Sequence, residues 1–419
     1  MTADRVARHQ KARLQGAMVE AVSRHGYAST TLRELVTLAG VSKSTFYEHF
    51  ESKEDCFLST FDEIVAQLSA RVGEAYRSEG DDRQRLTAGL NAFMSLAVEE
   101  PAAASLAAIE SLTLGAAGVA HRERASRAFE ALIQQSFDHS PSKRSVSPPV
   151  VRGIVAGIRG VSYRRLRIGR GEELPGEVGN LVDWALRYQE PDTEVTLRAI
   201  EAAIAPRPVE DVDPAEDPPP GWDEPPDSRL SRSRLTQRER IVRAAARVVV
   251  ESGYQALSIP AISGAAGVSN QTFYEHFASK RDAFLAAFEV IAAEALTRTA
   301  DAFAAEGRRP EAIGAGLRAL LDYVAESALF AQLAFFELPT AGPVALDRAD
   351  EMFDGFSAFL EPDTAPPELG EAVPRSILEA IPSAVWAVIQ HEIVHGRREV
   401  LPELAPEIVR IVLAPFNRP

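Results

Sequence analysis

Apolar residues recur at three- and four-residue spacing along most of this chain. The spacing is clearest over 86–98, 151–168, 289–305 and 376–395. Each of these segments is long for a strand, and an apolar stripe with this period is typical of an amphipathic helix. Runs of alternating Val, Ile and Thr are missing, and Gly or Pro clusters separate the helical segments. The pattern predicts an all-α protein.

The pattern occurs twice at a fixed distance. Adding 227 to each residue number aligns 26–61 with 253–288, giving 18 identical residues in 36 positions without a gap. The same offset matches Leu106 and Glu110 with Leu333 and Glu337 further along the chain. We infer a tandem duplication with roughly 190 residues in each repeat.

A segment of different composition separates the two repeats. Residues 206–228 contain eight prolines and eight acidic residues, which cannot bury a core and favour a solvated, extended linker. The predicted organisation is a first head domain over 1–60, a first helical body over 61–204, a linker over 205–231, a second head domain over 232–287 and a second helical body over 288–419.

Each repeat begins with the signals of two short helices joined by a tight turn. Thr31 and Glu34 have the spacing of a capping box, and Gly40 followed by Ser42 suits a helix end and the next N-cap. Phe46 and Phe50 are four residues apart, which predicts a buried stripe on the second helix. This arrangement predicts a helix-turn-helix, whose second helix enters the DNA major groove.

The opposite face of that second helix carries residues that suit nucleic acid. Lys43, Ser44 and Tyr47 supply a cation, a hydroxyl and a phenol that can reach phosphate oxygens. Lys53 begins the next helix, where a cation opposes the positive end of the helix dipole. A DNA phosphate bound at that helix start would remove the conflict. Lys280 repeats the arrangement.

These motifs resemble the TetR family of one-component repressors. The resemblance depends on GVSKSTFYEHFESKEDCF (40–57) and GVSNQTFYEHFASKRDAF (267–284), and extends to GRREVLPELAPEIVRIVLAPF (396–416). It implies a ligand-responsive repressor that binds double-stranded DNA, together with these DNA contacts: Arg33, Lys43, Ser44, Thr45, Tyr47, His49 and Lys53 in the first repeat, and Asn270, Gln271, Thr272, Tyr274, His276 and Lys280 in the second. Pro260 replaces Arg33 in the second repeat. One repeat that keeps the fold without binding DNA is an open alternative.

Charge and cysteine content agree with this interpretation once their distribution is considered. The whole chain has a formal net charge of −15, but residues 1–53 carry eight basic and five acidic residues, and 229–280 carry eight and three. Two basic heads are therefore expected in an acidic chain. Cys56 is the only cysteine, and no uncharged apolar run reaches eighteen residues, which favours a cytoplasmic protein without a membrane span. No cofactor is expected.

The resemblance also implies that a helical domain after each head binds a small-molecule effector and dimerises. Candidate pocket residues are aromatic, or carboxylates within apolar runs: Phe93, Glu110, Tyr323, Phe336, Glu337 and Trp386. The matched Glu110 and Glu337 would suit a cationic or hydrogen-bonding ligand. Simple core packing or solvation is the alternative for each residue.

Dimerisation could occur within one chain or between chains. The first repeat carries Arg159, Arg164 and Arg165 on its presumed pairing helix, whereas the second carries Glu379 and Glu392. Pairing of identical repeats would set like charges together, and pairing of unlike repeats would relieve this repulsion. We therefore expect an intramolecular pseudo-dimer, with a homodimer as the alternative.

One further motif points to a different class of protein. His391, Glu392 and His395 match HExxH, the zinc-protease signature, which places two imidazoles on one helix face. The first repeat has Arg164, Arg165 and Ile168 at the matching positions, and no clear third ligand follows. We expect neither catalysis nor a metal. The alternative functions are a metallohydrolase and a ligand-binding scaffold that has lost DNA binding.

Overall fold

The computed structural model describes residues 3–78, 80–138, 145–205, 236–358 and 373–416. Every regular element within these ranges is helical, which confirms the all-α prediction. Apart from residue 205, the predicted linker lies outside the described residues.

The two repeats contain α-helices in the same order. In the first repeat they are α1 (Ala3–Ser29), α2 (Leu32–Ala39), α3 (Lys43–His49), α4 (Lys53–Ser78), α5 (Asp82–Glu99), α6 (Pro101–Ala108), α7 (Gly115–Asp138), α8 (Pro148–Arg167), α9 (Val178–Arg187) and α10 (Glu194–Ile204). In the second they are α11 (Gln237–Ala256), α12 (Ile259–Ala266), α13 (Asn270–His276), α14 (Lys280–Ala304), α15 (Arg309–Glu326), α16 (Ala328–Gln332), α17 (Pro343–Ala358), α18 (Arg375–Val394) and α19 (Ala405–Leu413). Short 3₁₀ segments join several of them, and α16 continues into a π-helical turn at Leu333–Glu337.

Backbone geometry repeats with the same offset as the sequence. The glycines with positive φ form four pairs separated by 227 residues: Gly26 and Gly253, Gly40 and Gly267, Gly115 and Gly342, and Gly169 and Gly396. Helices α8 and α18 begin and end at equivalent positions under this offset. The duplication therefore extends through the whole helical body of each repeat.

The chain forms two compact units whose boundaries differ from the repeat boundaries. Unit 1 comprises Met1–Pro191, Phe353–Val388 and Ile411–Pro419. Unit 2 comprises Asp192–Met352 and Ile389–Arg410. Each unit therefore contains segments of both repeats, which a linear division of the chain at the linker does not anticipate.

In unit 1, α8 of the first repeat packs closely against α18 of the second. The contact face of α8 is formed by glycines, and a Cβ added at Gly157 would lie 3.1 Å from the Ala380 carbonyl oxygen. A Cβ at Gly160 would collide with the Ser383 side chain. Because interiors pack to high density, the two backbones approach this closely only where α8 lacks side chains.

A buried ion pair crosses the same helix contact. The Arg165 guanidinium on α8 donates to the Glu379 carboxylate on α18 at 2.7 Å, and both side chains are largely buried. Glu173 and Glu177 lie 3.6 Å from the same guanidinium. Unlike charges of the two repeats thus meet inside unit 1.

In unit 2, the last helix of the first repeat packs against the second repeat. A Cβ at Gly314 of α15 would collide with the Ala199 carbonyl on α10, and Arg318 donates to the Ala203 carbonyl at 3.2 Å. Arg410 bonds Asp192 at 3.1 Å in the same unit. The end of the first repeat is thereby fixed onto the body of the second.

Among the described residues, two segments each have the length and apolar composition to cross a membrane, although the sequence contains no uncharged apolar run of eighteen residues. One is the interrupted stretch Pro101–Asp138, and the other is Arg375–Val394, which coincides with α18. In α18, 67% of the apolar window is buried inside the protein. Packing against α8 therefore accounts for much of the apolar character of α18.

Candidate nucleic-acid interface and effector cavity

The first head has a continuous apolar core. Leu35 of α2 and Phe46 of α3 are fully buried, as is Phe57 of α4, and Phe50 is almost fully buried. Leu106 of α6 is also fully buried in this cluster, so the body of the repeat contributes to the core of the head. The predicted buried stripe on the second helix is confirmed.

Local capping sets the turn between α2 and α3. The Thr31 hydroxyl accepts a hydrogen bond from the backbone N–H of Glu34, and the Ser42 hydroxyl accepts one from Thr45. Gly40 ends α2 with φ of 58°, a left-handed conformation that disfavours other residues. In a full capping box the Glu34 carboxylate would accept from the Thr31 backbone N–H. Here Glu34 instead bonds the His25 ring at 3.0 Å.

The outer face of α3 presents the residues predicted to read DNA. Lys43, Ser44 and Tyr47 are exposed, with 53% of the Tyr47 surface accessible. The Lys43 ammonium lies 5.8 Å from the centre of the Tyr47 ring. The predicted contacts Arg33, Thr45 and His49 are at least partly accessible. This accessible face, together with the predicted DNA contacts at Arg33 and Lys53, is called here the first reading face.

The second head presents a corresponding face with different chemistry. Asn270, Gln271 and Tyr274 of α13 are exposed, and 60% of the Tyr274 surface is accessible. Thr272 bonds the Ser269 hydroxyl at 3.0 Å, as Thr45 bonds Ser42 at 2.9 Å. His276 is exposed on the same helix. Together with Lys280, these residues form the second reading face.

The lysine that begins the following helix has an internal role that sequence analysis missed. The Lys53 ammonium donates to the backbone carbonyls of Tyr27 and Thr30, both at 2.9 Å, and lies 4.1 Å from the Tyr27 ring centre. Burial lowers the pKa of Lys53. Lys280 bonds the Tyr254 and Leu257 carbonyls in the same way. Carbonyl oxygens therefore already stabilise this cation, and a phosphate contact stays a prediction.

The matched glutamates link each head to its body. The Glu110 carboxylate accepts a hydrogen bond from the backbone N–H of Tyr27 at 2.9 Å, and Glu337 accepts one from Tyr254 at 2.9 Å. Glu110 does not line the cavity described below. The Glu110 carboxylate thus holds the end of α1, next to Gly26 with its positive φ, and a pocket role for Glu110 stays a prediction.

Two other pocket candidates, Tyr323 and Phe336, lie in the second repeat. Tyr323 is 4% exposed, and its hydroxyl donates to the Ile291 carbonyl at 3.2 Å. Phe336 is partly buried in the π-helical turn. For Tyr323, the core alternative describes the structure better than a ligand contact.

A cavity with a volume of about 150 Å³ lies in unit 1, within the first repeat. Helices α4 to α9 contribute to its wall, which is almost wholly apolar, and Phe93 is among the lining residues. Its polar exceptions are Tyr76, Arg122, Ser126, Arg159 and Ser162. An apolar cavity with a few polar groups is the usual form of a small-molecule site.

Both charged side chains among the described lining residues are arginines, which sequence analysis did not assign to a pocket. Arg159 donates to the Ser126 hydroxyl at 2.5 Å. Burial, together with the neighbouring charge of Arg159, lowers the pKa of Arg122 to about 9, and burial lowers that of Arg159. Both remain charged at neutral pH. Their placement among the apolar residues of α7 and α8 was the available signal.

The residues of the HExxH motif lie at the end of α18 and have partners within the protein. The rings of His391 and His395 are tilted by 42° with centres 4.1 Å apart, and the His395 Nδ1 lies 2.8 Å from the His391 carbonyl oxygen. Glu392 is buried and accepts from Arg397 at 2.7 Å. A general base must face a metal-bound water, whereas this carboxylate is already bound to a cation.

The family model described as "Bacterial regulatory proteins, tetR family" matches the chain at two places. The matched residues are 17–60 and 241–287, which contain the two heads described above. Each of the two heads is therefore of the tetR family type. Its TetR-type head is present twice, and the resemblance inferred from the motifs is confirmed.

Two curated relatives are similar to parts of this TetR-type chain. The HTH-type transcriptional activator FasR of Mycolicibacterium smegmatis is 40% identical over 68 residues, covering 16% of this chain and 31% of FasR. The fatty acid metabolism regulator protein of Bacillus subtilis is 29% identical over 80 residues, covering 19% of this chain and 41% of that protein. The chain thus spans less than half the length of each relative.

Solved structures of TetR-type regulators align with about two fifths of the chain. FadR from Bacillus subtilis in complex with stearoyl-CoA is 16% identical, with a TM-score of 0.39, covering 42% of this chain and 96% of FadR. A TetR family transcription regulator from Marinobacter aquaeolei VT8 is 19% identical, with a TM-score of 0.36, covering 43% and 97%.

Proposed function

We propose that this chain is a transcriptional repressor that binds one operator with two non-identical heads and is released by a small molecule. The observation that carries the proposal is the pair of exposed reading faces, each on the second helix of a capped helix-turn-helix. Exposed aromatic, hydroxyl and amide or ammonium groups at this position suit contacts to phosphates and base edges.

The two faces favour different bases. Lys43 and Arg33, both assigned to the first reading face, favour guanine, whose O6 and N7 accept from cations. Asn270 and Gln271 suit adenine, because an amide can donate to N7 and accept from N6. Tyr47 and Tyr274 are shared, so phosphate docking should be common to both heads. The operator is therefore an imperfect palindrome with guanine in one half-site and adenine in the other.

Pairing of the two repeats within one chain accounts for both heads acting on one operator. Support comes from Arg165, which bonds Glu379 of the other repeat. Under the 227-residue offset, Arg165 corresponds to Glu392 and Glu379 corresponds to Arg152. Pairing two first repeats would set Arg165 against Arg152, and pairing two second repeats would set Glu392 against Glu379. Such like-charge contacts would be unfavourable, so unlike repeats should pair.

Light scattering of the full chain in dilute solution tests the pairing. A pseudo-dimer within one chain should have a mass near 45.4 kDa. A stable species of about twice that mass would show pairing between chains, and would overturn the simple intramolecular form.

Binding selection on random DNA tests the operator prediction. The wild-type chain should recover a bipartite site with unlike half-sites about one helical turn apart. Replacing Lys43 and Ser44 by Asn and Gln should shift the preference towards a symmetric, adenine-containing site, at about 1–3 kcal/mol for each good bidentate contact. Recovery of a perfect inverted repeat by the wild type would overturn the proposal.

The direction of regulation is tested with a reporter whose promoter overlaps the selected operator. Repression should decrease when the effector is bound. FasR is named as an activator, so the opposite outcome is also tested. If transcription increases when the protein binds its operator, the protein is an activator, and the proposal of DNA binding still holds. As a control in the same reporter, the variant Glu48→Gln changes an exposed side chain and should keep the fold and the phosphate contacts of the wild type.

A further inference from the structure

The effector cavity of the first repeat has an unusual charge pattern for an apolar site. Arg122 on α7 and Arg159 on α8 line it, and within the described residues neither guanidinium has a carboxylate at ion-pair distance. Glu123 and Glu130 offset part of their charge, but neither lines the cavity, and Glu130 lies 3.9 Å from Arg152. The cavity wall therefore carries positive charge against an apolar surface.

A third polar group faces the same space. Tyr76 lines the cavity, is 5% exposed, and its hydroxyl has no hydrogen-bond partner among the described residues. A buried hydroxyl without a partner is unfavourable, and a bound polar group would satisfy it. Arg159 is oriented by Ser126, whose own hydroxyl donates to the Arg122 carbonyl at 3.0 Å. The polar groups are thus preorganised before any ligand binds.

The second repeat lacks this chemistry at the equivalent positions. Under the 227-residue offset, Arg122 corresponds to Ala349, Ser126 to Phe353 and Arg159 to Trp386. Where the first repeat has an arginine bonded to a serine, the second has two aromatic rings in edge-to-face contact, with centres 5.4 Å apart. Trp386, predicted as a pocket residue, therefore stands at the position equivalent to the cavity-lining Arg159 of the first repeat.

We propose that the first repeat binds one amphiphilic anion per chain, with its apolar body in the cavity and its anionic group on Arg122 and Arg159, and that the second repeat has no equivalent site. A cavity of about 150 Å³ holds a benzene-sized apolar group. The matching ligand is an alkyl carboxylate or alkyl phosphate of about six to eight carbons. This proposal differs from the expectation based on Glu110 and Glu337, which was a cationic or hydrogen-bonding ligand. Release of DNA by the bound anion rests on the proposed function, whereas binding of the anion to the cavity does not.

Titration calorimetry on the DNA-free full chain tests the binding. Octanoate and octyl phosphate are the anionic probes, octanol is the neutral probe and octyltrimethylammonium is the cationic probe. An anion should bind at least tenfold more tightly than octanol, the cation should not bind measurably, and the stoichiometry should be one per chain. Comparing octanoate with octyl phosphate distinguishes a carboxylate source from a phosphate source.

Two variants locate the anionic group. Arg159→Met and Arg122→Met keep an unbranched side chain but remove the charge, so each should weaken octanoate binding at least tenfold and leave octanol binding unchanged. Arg127→Met is the matched control, since Arg127 is exposed on the same helix as Arg122 and does not line the cavity. Arg159→Lys keeps the charge and should retain part of the affinity.

Several results would overturn the proposal. Equal affinity for octanol and octanoate in the wild type would exclude the anion subsite, whether or not the variants fold. Two molecules per chain would exclude the difference between the repeats. A separate DNA-binding measurement with and without octanoate distinguishes the two proposals: tight octanoate binding without any change in DNA affinity would support the site and contradict effector release.

Discussion

Removing the buried cation at the contact between the repeats gives the most direct test of how this fold is held together. Arg165→Met removes the charge on α8 and keeps most of the apolar stem. It leaves the Glu379 carboxylate, whose side chain is only 8% exposed, without its 2.7 Å partner. Glu173 and Glu177 lose the same cation. Three carboxylates would then lie near one another, with the more exposed Arg170 and Arg375 left to offset part of their repulsion.

The expected loss follows from this burial. Breaking a buried ion pair by removing one partner costs about 3–5 kcal/mol, because the remaining charge stays desolvated. Arg375 also lies 3.3 Å from Glu379, so we expect the lower end, about 3 kcal/mol. With about 2–4 °C per kcal/mol for 150–250 residues, the melting temperature of the transition that contains α8 should fall by about 6–12 °C.

Differential scanning calorimetry of the full chain measures this shift. The control is Arg71→Met, which breaks a 2.8 Å pair with Glu99 whose side chains are 41% and 53% exposed. A surface pair of this kind contributes less than about 1 kcal/mol. In the double variant Arg165→Met with Glu379→Met, part of the stability should return, because no carboxylate remains buried opposite an apolar side chain. A shift for Arg165→Met no larger than the control would refute the reasoning.

Three further outcomes are expected. Lys53→Ala and Lys280→Ala should each weaken binding about equally across DNA sequences and lower the salt slope by about one. If either variant altered the sequence preference in binding selection, the phosphate assignment of that lysine would be wrong. Glu110→Gln keeps the acceptor but removes its charge, so it should destabilise the first head by about 1 kcal/mol in thermal unfolding, and an unchanged melting temperature would contradict the link between body and head. Burial, with a smaller contribution from the neighbouring aspartate, raises the pKa of Cys56 to about 12, so the folded protein should react slowly with a disulfide reagent at pH 8 and fully in denaturant; rapid reaction of the folded protein would contradict this.

The sequence by itself determined the helices, the duplication and the two heads. These features depend on interactions between residues that are close along the chain, such as Thr31 capping Glu34 or the buried pair Phe46 and Phe50. Helix period and capping act within one or two turns, so they can be recognised without knowing which segments meet. The repeat at an offset of 227 residues added an independent check, because the same local signals occur twice.

The charge contrast between the repeats was also visible in the sequence, but not its pairing. Arg165 and Glu379 are 214 residues apart, and only the packing of α8 on α18 brings them to 2.7 Å. From the sequence alone, both charges could equally face water.

Tertiary structure alone decided what the polar residues of the body do. Glu110 stands in an apolar run, yet the fold directs its carboxylate to the Tyr27 N–H, 83 residues away in sequence. Arg122 and Arg159 lie on different helices, and their meeting at one apolar cavity depends on how α7 and α8 pack. A side chain's burial and partners are set by distant segments, so composition and period could place these residues on helices but could not assign their roles.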